Sequence, residues 1–187
     1  VEDIIARNQD VIVIVDEAYI DFGGESALPL IEKYDNLLVV QTFSKSRSMA
    51  GVRIGFAMGQ PELIGALKAV KYSFNSYTMS RLTIKAGTAA LKNRAYFRET
   101  AEKICQTREQ AQKRLREFGF ILEDSRTNFL FVTHPVWSAR KLYEDLKREH
   151  IYVRFFPQPR IDNYLRITVG TDEEMSKLYD FLAGYKG

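Results

Sequence analysis

The apolar run from Val11 to Val15 places the strongest constraint on the fold. Every residue in it is β-branched. The run lacks the alternation of apolar and polar residues that is typical of a strand with one solvated face. The run therefore predicts a strand buried on both faces, which is typical of a parallel sheet with helices on each side. Apolar runs at 37–42 and 52–58 predict two further strands. We expect the first half of the chain to be α/β.

In the second half, short apolar segments are interleaved with helical patterns. We expect strands near 120–122, 129–132, 151–153 and 165–167, and helices over 61–72, 80–91, 93–118, 138–149 and 172–183. Gly119 ends the longest helix as a helix-stop residue. The Lys and Arg residues of that helix are interleaved with Glu, which predicts a solvated face and not a nucleic-acid surface.

Composition narrows the class of protein. A net charge of +3 over 187 residues gives no reason to expect a nucleic acid or a membrane as partner. The single cysteine, Cys105, excludes an intrachain disulfide and suits a reducing compartment, so we expect the cytoplasm. His134 and His150 show no metal-ligand spacing with it, so no metal site is predicted. No apolar run reaches the length of a membrane span.

Charged residues follow two of the predicted strands where each ends. Asp16 comes directly after the first strand, and Lys45, between Ser44 and Ser46, follows the second. Ligand-binding groups collect at the carboxyl ends of strands in open α/β sheets, so the two residues are interpreted together. A carboxylate buried there needs a cation or a hydrogen-bond donor. Taken singly, Asp16 also fits a turn and Lys45 a solvated surface lysine.

Arg53 begins the third predicted strand. A reversal through residues 49–51 would return it beside Ser44, where an arginine, a serine and free backbone amides form a phosphate cradle. With Asp16, Tyr19 and Lys45, these residues describe a buried acid, an aromatic hydroxyl, a lysine and a phosphate clamp. Pyridoxal 5′-phosphate requires this combination, because a lysine forms a Schiff base with its aldehyde and a carboxylate pairs with its ring nitrogen.

Three segments in register carry a resemblance to a known family: D-E-A-Y at 16–19, T-F-S-K at 42–45 and G-V-R-I-G at 51–55. They resemble the fold-type I pyridoxal-phosphate aminotransferases, and among these most of all the histidinol-phosphate aminotransferases. The resemblance implies that Lys45 is the Schiff-base lysine, Asp16 the partner of the pyridine nitrogen and Tyr19 the partner of O3′. It also implies that Ser44 and Arg53 bind the phosphate.

The resemblance also assigns substrate-binding residues in the second half. Arg166 corresponds to the strand arginine that pairs with the substrate α-carboxylate, and alternation places it on the face opposite Leu165 and Ile167; a packed stem with a solvated head is the alternative. Arg154 corresponds to a second arginine that contacts the phosphorylated substrate, although most arginines are simply exposed. Asn128 corresponds to a pocket-lining residue, and asparagine is also common in turns.

The change of pattern after the long helix places a domain boundary near residue 100, and the resemblance implies which two domains meet there. Residues 1–98 would be the second half of the cofactor-binding large domain, and residues 99–187 the small carboxyl-terminal α/β domain. The family chain is longer, and its first half supplies a ring-stacking aromatic, further phosphate-binding amides and an asparagine near O3′. The partner subunit supplies a tyrosine. We therefore expect a fragment that is inactive alone, from an enzyme that works as a homodimer.

The expected reaction of the intact enzyme is a ping-pong transfer of an amino group between histidinol phosphate, or a related amino acid, and 2-oxoglutarate. Lys45 would hold the cofactor and then act as the base. Two alternatives keep the fold and the cofactor: an aromatic amino-acid aminotransferase and an amino-acid phosphate decarboxylase. A third alternative is a non-catalytic binding or assembly module.

Overall fold

The computed structural model describes residues 1–187, which form two compact units, Val1–Glu99 and Thr100–Gly187. The first unit contains α1 (Glu2–Arg7), β1 (Val13–Asp16), β2 (Leu37–Thr42), β3 (Gly55–Gly59), α2 (Pro61–Phe74) and α3 (Arg81–Lys92). The long helix α4 (Arg94–Glu117) contains the boundary between the units. The second unit continues with β4 (Ile121–Leu122), β5 (Phe129–Thr133), α5 (Ala139–Arg148), β6 (Arg154–Phe155), β7 (Tyr164–Thr168) and α6 (Asp172–Gly184). None of the helices combines the length and the apolar character needed to span a bilayer.

The first unit is built on a three-stranded sheet in the order β1-β2-β3. β1 and β2 are parallel, whereas β3 is antiparallel to β2. The third strand begins at Gly55 and not at residue 52 as predicted, because residues 50–52 form a 3₁₀ turn and Arg53 adopts a left-handed conformation with φ 58°. The core of the sheet consists of buried side chains from α1, the following loops and β2: Ile5, Ala27, Leu37 and Val39.

The prediction that the first strand is buried on both faces is wrong for these residues. Val13 and Val15 pack against the core. Ile12 and Ile14 are 58% and 61% exposed. β1 lies at the edge of the sheet, and only one of its faces is covered by the described residues. The unbroken apolar run therefore belongs to a strand whose second face is uncovered within residues 1–187.

The second unit packs helices against one face of a four-stranded antiparallel sheet in the order β4-β5-β7-β6. Inward side chains alternate with outward ones along β5 and β7, because successive strand residues point to opposite faces. The buried face packs against α4, α5 and α6 in a core that includes Leu130, Val132, Leu165, Ile167, Leu115, Leu142, Leu146, Met175 and Leu178.

Two sequence-based expectations for the second unit are wrong. Residues 151–153 are not a strand, because the chain is still hydrogen-bonded to the end of α5 at Ile151. His150 is left-handed with φ 59°, and the Ile151 N–H donates to the Leu146 carbonyl at 2.9 Å. β6 therefore starts only at Arg154. The basic residues of α4 are not all solvated either. Arg108 is 4% exposed, and its Nη1 donates to the Thr127 carbonyl at 3.0 Å.

Candidate active site

The carboxyl ends of β1 and β2 lie side by side. Asp16 is the last residue of β1 and is the register partner of Val40 in β2. The pairing extends one residue further, because the Glu17 N–H donates to the Val40 carbonyl at 2.8 Å. Lys45 follows β2 in the loop that leads to β3. The two predicted site residues are thus placed at the same edge of one sheet, where parallel strands present ligand-binding groups.

Tyr19 and Lys45 are in contact. Tyr19 immediately precedes the 3₁₀ turn Ile20–Phe22, in the segment that follows β1. The Lys45 ammonium group lies 5.2 Å from the centroid of the Tyr19 ring, which is within the range of cation–π attraction. Both side chains are half-buried. The structure therefore brings together two of the residues that the sequence placed in one site.

The sequence predicted that Asp16 is buried, but the buried acid in the structure is its neighbour Glu17. Glu17 continues the inward phase of Val13 and Val15 and is 5% exposed. Asp16 shares the outward phase of Ile14 and is exposed. The Asp16 Oδ1 accepts a hydrogen bond from the Ala18 N–H at 3.0 Å. This error follows from the wrong prediction that β1 is buried on both faces. Because one face of β1 is uncovered, the alternation of side chains decides which of the two adjacent carboxylates is buried.

Ser44 and Arg53 stand next to the last backbone hydrogen bond of the β2–β3 reversal. The ladder ends with the Thr42–Gly55 pair and is extended by the Phe43 N–H, which donates to the Ile54 carbonyl at 3.1 Å. The predicted reversal is therefore present. The sequence predicted a free backbone amide at Ser44, but this N–H donates to the Thr42 Oγ1 at 3.1 Å.

The loop between β2 and β3 is held in an unfavourable backbone conformation. Ser48 and Arg53 both have positive φ, at 54° and 58°. Non-glycine residues adopt this conformation at a cost of about 1–3 kcal/mol each, and such residues cluster at ligand-binding sites. The Arg53 guanidinium is exposed, and its Nη1 donates to the Ala50 carbonyl at 2.8 Å. The loop thus presents an arginine with remaining donors to solvent.

Two residues of this loop were not assigned from the sequence. Ser46, only 3% exposed, donates a hydrogen bond to the carboxylate of Asp21. The Arg47 guanidinium lies 4.0 Å from the Phe97 ring centroid and 5.2 Å from that of Phe43. Both contacts fix the part of the loop that directly follows Lys45. The only signal in the sequence was their position next to the lysine, which does not separate them from other loop residues.

The open face of the second sheet carries a pair of arginines. Arg166 lies opposite the buried Leu165 and Ile167, as alternation predicted. Its register partner on β6 is Arg154. The Nε of Arg166 is buried and has no hydrogen-bond partner. Buried donors are normally satisfied, so this group is a candidate for binding an anion.

Aromatic side chains surround this pair. The Arg166 guanidinium lies 5.3 Å from the Phe129 ring centroid and 6.0 Å from that of Phe156. Phe131 stacks on Tyr164 with centroids 4.6 Å apart. Both rings, with Phe129, also line a groove of about 520 Å³. Such walls lower the local dielectric and strengthen any ion pair that forms there.

Asn128 has a backbone role in the structure. It precedes β5, and its carbonyl accepts a hydrogen bond from the Val169 N–H at 2.9 Å, which extends the β5–β7 ladder. Its side chain is half-buried and is not among the groups that line the groove. A substrate contact by Asn128 stays a prediction.

Comparison with known proteins gives a consistent result. The family model Aminotransferase class I and II matches residues 1–182. The histidinol-phosphate aminotransferase of Brachyspira hyodysenteriae is 56% identical over 175 residues, which are 93% of this chain and 49% of that protein. The Clostridium acetobutylicum enzyme of the same name is 51% identical over 180 residues, 96% of this chain and 51% of that protein.

A solved structure supports the same relationship. The crystal structure of histidinol-phosphate aminotransferase from Sinorhizobium meliloti, in complex with pyridoxal-5'-phosphate, matches with a TM-score of 0.82 and 29% identity. The match covers 97% of this chain and 51% of that one. The chain thus spans about half the length of the curated relatives that it matches. On the family match and the identity over nearly its whole length, this chain belongs to the class I and II aminotransferases, with strong homology to the histidinol-phosphate aminotransferases.

Proposed function

We propose that this chain provides the lysine, the ring-nitrogen partner and the substrate arginines of a pyridoxal-phosphate-dependent aminotransferase. The observation that carries the proposal is the Tyr19–Lys45 contact beside Asp16, at the carboxyl ends of β1 and β2. When it is bound, the cofactor supplies an electron sink for a carbanion at the substrate α-carbon. The family match and the cofactor named for the Sinorhizobium meliloti structure support the same assignment.

The residues present fit this cofactor. Lys45 offers an amine beside an aromatic ring, and Asp16 offers an exposed carboxylate without a cationic partner. The carboxylate is therefore available to a protonated ring nitrogen, whose charge it would stabilise. The Tyr19 hydroxyl is proposed to face O3′. Ser44 and Arg53, which flank the last backbone hydrogen bond of the reversal, are proposed to hold the phosphate.

Lys45 has two proposed tasks. Its Nζ attaches the cofactor, and once displaced by the amino donor it removes a proton from the donor α-carbon and delivers it to C4′. A free amine is needed for the second task. The Tyr19 ring packs beside the Nζ and limits the positions that the amine can take, so that it stays within reach of the carbon that reacts.

The substrates that we propose are histidinol phosphate as amino donor and 2-oxoglutarate as acceptor. Each carries strong acidic groups: a phosphate in the donor and two carboxylates in the acceptor. The Arg154–Arg166 pair, with an unsatisfied buried Nε, suits such anions. The names of the relatives support the choice of donor.

Because the chain spans about half of its relatives, we propose that the complete site needs residues outside these 187, some of them from a partner subunit in a homodimer. The chain alone is then inactive. We propose the cytoplasm as its compartment, since the single cysteine suits reducing conditions.

The test uses a chimera in which the first half of the Clostridium acetobutylicum relative precedes this chain. We expect turnover of histidinol phosphate with 2-oxoglutarate, and a pyridoxyl group on Lys45 after borohydride reduction and peptide mass spectrometry. Lys45→Ala should abolish both the absorbance of lysine-bound cofactor and the turnover. Lys68→Ala, at an exposed lysine on α2, is the matched control and should change neither.

Each outcome has a definite reading. Lysine-bound absorbance retained in Lys45→Ala would contradict the assignment of the lysine. Faster turnover of aromatic amino acids, or release of carbon dioxide from an amino-acid phosphate, would replace the proposed reaction by one of the two alternatives of the same fold. Absence of any adduct in the chimera would favour a non-catalytic module. Robust turnover by the 187-residue chain alone would contradict its inactivity.

A further inference from the structure

A buried carboxylate beside the proposed site has no part in the chemistry described so far. Glu17 is 5% exposed. Its Oε1 accepts from the Ala27 N–H at 2.6 Å and from the Ser26 hydroxyl at 3.0 Å. Its Oε2 accepts from the same hydroxyl at 2.8 Å and from the Gln41 Nε2 at 2.9 Å. All of these donors are uncharged, so the carboxylate organises its surroundings through hydrogen bonds and not through an ion pair.

The carboxylate and its donors come from three places in the chain. Glu17 stands directly after β1, Gln41 lies in β2, and Ser26 and Ala27 end the loop of residues 17–27, which precedes the 3₁₀ turn Leu28–Glu32. The carboxylate therefore joins the start of the loop, its end and the neighbouring strand at one point. A loop closed in this way has fewer accessible conformations than one held only at its termini.

The loop closed by Glu17 carries one residue of the proposed site and directly follows another. Tyr19 lies within it and contacts Lys45, and Asp16 directly precedes Glu17. A second connection runs from the loop to the residue after the lysine, because the Ser46 hydroxyl donates to Asp21. The placement of Tyr19 against Lys45 thus depends on a loop whose two ends are fixed by one buried carboxylate.

We propose that Glu17 is a positioning residue, which holds the Tyr19 loop against the β2 strand and so sets Tyr19 beside Lys45. It acts through Gln41, Ser26 and Ala27 and touches no reacting atom. The inference rests on the proposed function only for the roles of Tyr19 and Lys45; the geometry itself exists without cofactor. Its test is therefore made without cofactor, and its failure is distinguishable from failure of the proposed reaction.

The experiment measures the NMR chemical shift of methyl groups attached to Lys45, which depends on their distance from the Tyr19 ring. The lysines of the 187-residue chain are reductively methylated with ¹³C-formaldehyde and a borane reductant, and the Lys45 signal is identified by its loss in Lys45→Arg. We expect this signal to be displaced upfield by the ring current of Tyr19 and to return to the position of exposed lysines in Tyr19→Leu. Glu17→Ala should remove most of the displacement. Glu25→Ala, on the exposed part of the same loop, should keep it in full.

Glu17→Gln distinguishes the effect of the hydrogen bonds of this side chain from the effect of its negative charge. Its amide oxygen can still accept from the Ala27 N–H, and the Gln41 amide can turn so that its oxygen accepts from the new NH₂ group. We expect this variant to restore most of the upfield displacement and to retain the protection of the Ala27 amide against hydrogen exchange.

A purely structural role would lower the melting temperature in Glu17→Ala and leave the Lys45 displacement unchanged, and that result would overturn the proposal. A loss as large in Glu17→Gln as in Glu17→Ala would also overturn it, in favour of an effect of charge. If Glu17→Ala does not fold, Gln41→Met removes only the donor on β2; part of the displacement should then be lost, and an unchanged Lys45 signal would count against the proposal.

Discussion

Arg154 of β6 and Arg166 of β7 are direct cross-strand partners on the open face of the second sheet. Like charges directly opposite each other destabilise a sheet, so the pair costs free energy until a counter-ion lies between the guanidinium groups. Phe131 of β5 is the partner of Arg166 on its other side. An anion that binds both arginines would remove the repulsion and supply an acceptor for the unsatisfied Arg166 Nε.

Arg154→Gln therefore should stabilise the chain at low ionic strength, by about 0.2–1 kcal/mol, because one charge of the pair is removed. Inorganic phosphate should raise the melting temperature of the unmodified chain more than that of the variant, since only the former offers two cations to the anion. Differential scanning calorimetry with and without phosphate measures both effects. Lys147→Gln removes an exposed charge from α5 and is the control. An equal response to phosphate in all three chains would show that the pair binds no anion.

Gly87 of α3 lies against Ile54 and Phe43, the residues at the two ends of the lysine loop. A Cβ built at this position would lie 2.7 Å from the Ile54 Cδ1 and 3.5 Å from the Phe43 Cε2. Ile54 is 9% exposed, so its Cδ1 has little free space to move into, and overpacking of a buried site costs about 1–3 kcal/mol. The upper part of that range exceeds the gain of about 1 kcal/mol in helix propensity from glycine to alanine. Gly87→Ala should therefore lower the free energy of unfolding measured in urea.

Two further variants test this explanation. Ile54→Val removes the Cδ1 that the new methyl group would meet. The double variant should therefore lose less free energy of unfolding than the sum of the losses in the two single variants. Gly65→Ala in α2 meets nothing within 4 Å and should stabilise the chain through helix propensity alone. Additive effects in the double variant would show that the contact with Ile54 is not the cause.

Most of the elements could be predicted because their signals are local. Pro61 and Ser80 mark the starts of α2 and α3, and the Ser80 side chain accepts from the Thr83 N–H as an N-cap. Alternation placed Arg166 on the correct face of β7, because that sheet has helices on one side only. The carboxyl-end rule grouped Asp16 with Lys45, and the D-E-A-Y motif added Tyr19 to them.

The errors arose where the outcome depended on tertiary structure or on a single backbone conformation. The sequence does not show which face of β1 is covered, so Asp16 was expected to be buried in place of Glu17. The left-handed conformations of Arg53 and His150 displaced the starts of β3 and β6, and neither residue type signals positive φ as glycine does. Arg108 is buried because a loop distant in sequence accepts its hydrogen bond.

Asp145 of α5 should make the stability of the second unit depend on pH. Hydrogen bonds from Lys141 and then from the Tyr185 hydroxyl hold the pKa of this carboxyl below its ordinary value of 3.8, and the charge of Arg148 acts in the same direction. A lowered pKa means that the stabilisation is present above the unfolded-state pKa and is lost as the pH falls through the folded-state pKa.

Asp145→Asn should therefore reduce stability at neutral pH, and the difference from the unmodified chain should narrow as the pH falls below 3.8. Thermal unfolding over a series of acid buffers measures it. Glu144→Gln, one residue away and exposed, is the control and should show no such convergence. A difference that is independent of pH would mean that the Asp145 carboxylate contributes by packing and not by its charge.

Ser46→Ala tests the second connection between the Tyr19 loop and the lysine loop. The variant leaves the Asp21 carboxylate without its buried donor. A hydrogen bond to a charged group contributes about 1.5–3 kcal/mol, but Asp21 is exposed and water can replace part of it, so we expect a loss of about 1 kcal/mol in urea unfolding. Ser73→Ala, where an exposed hydroxyl bonds only the carbonyl one helical turn earlier, should be nearly neutral. If the connection also positions the lysine, the ¹³C-methyl signal of Lys45 should move downfield in Ser46→Ala and stay in place in Ser73→Ala; equal stability and an unmoved signal in both variants would show that the Asp21 bond holds neither loop.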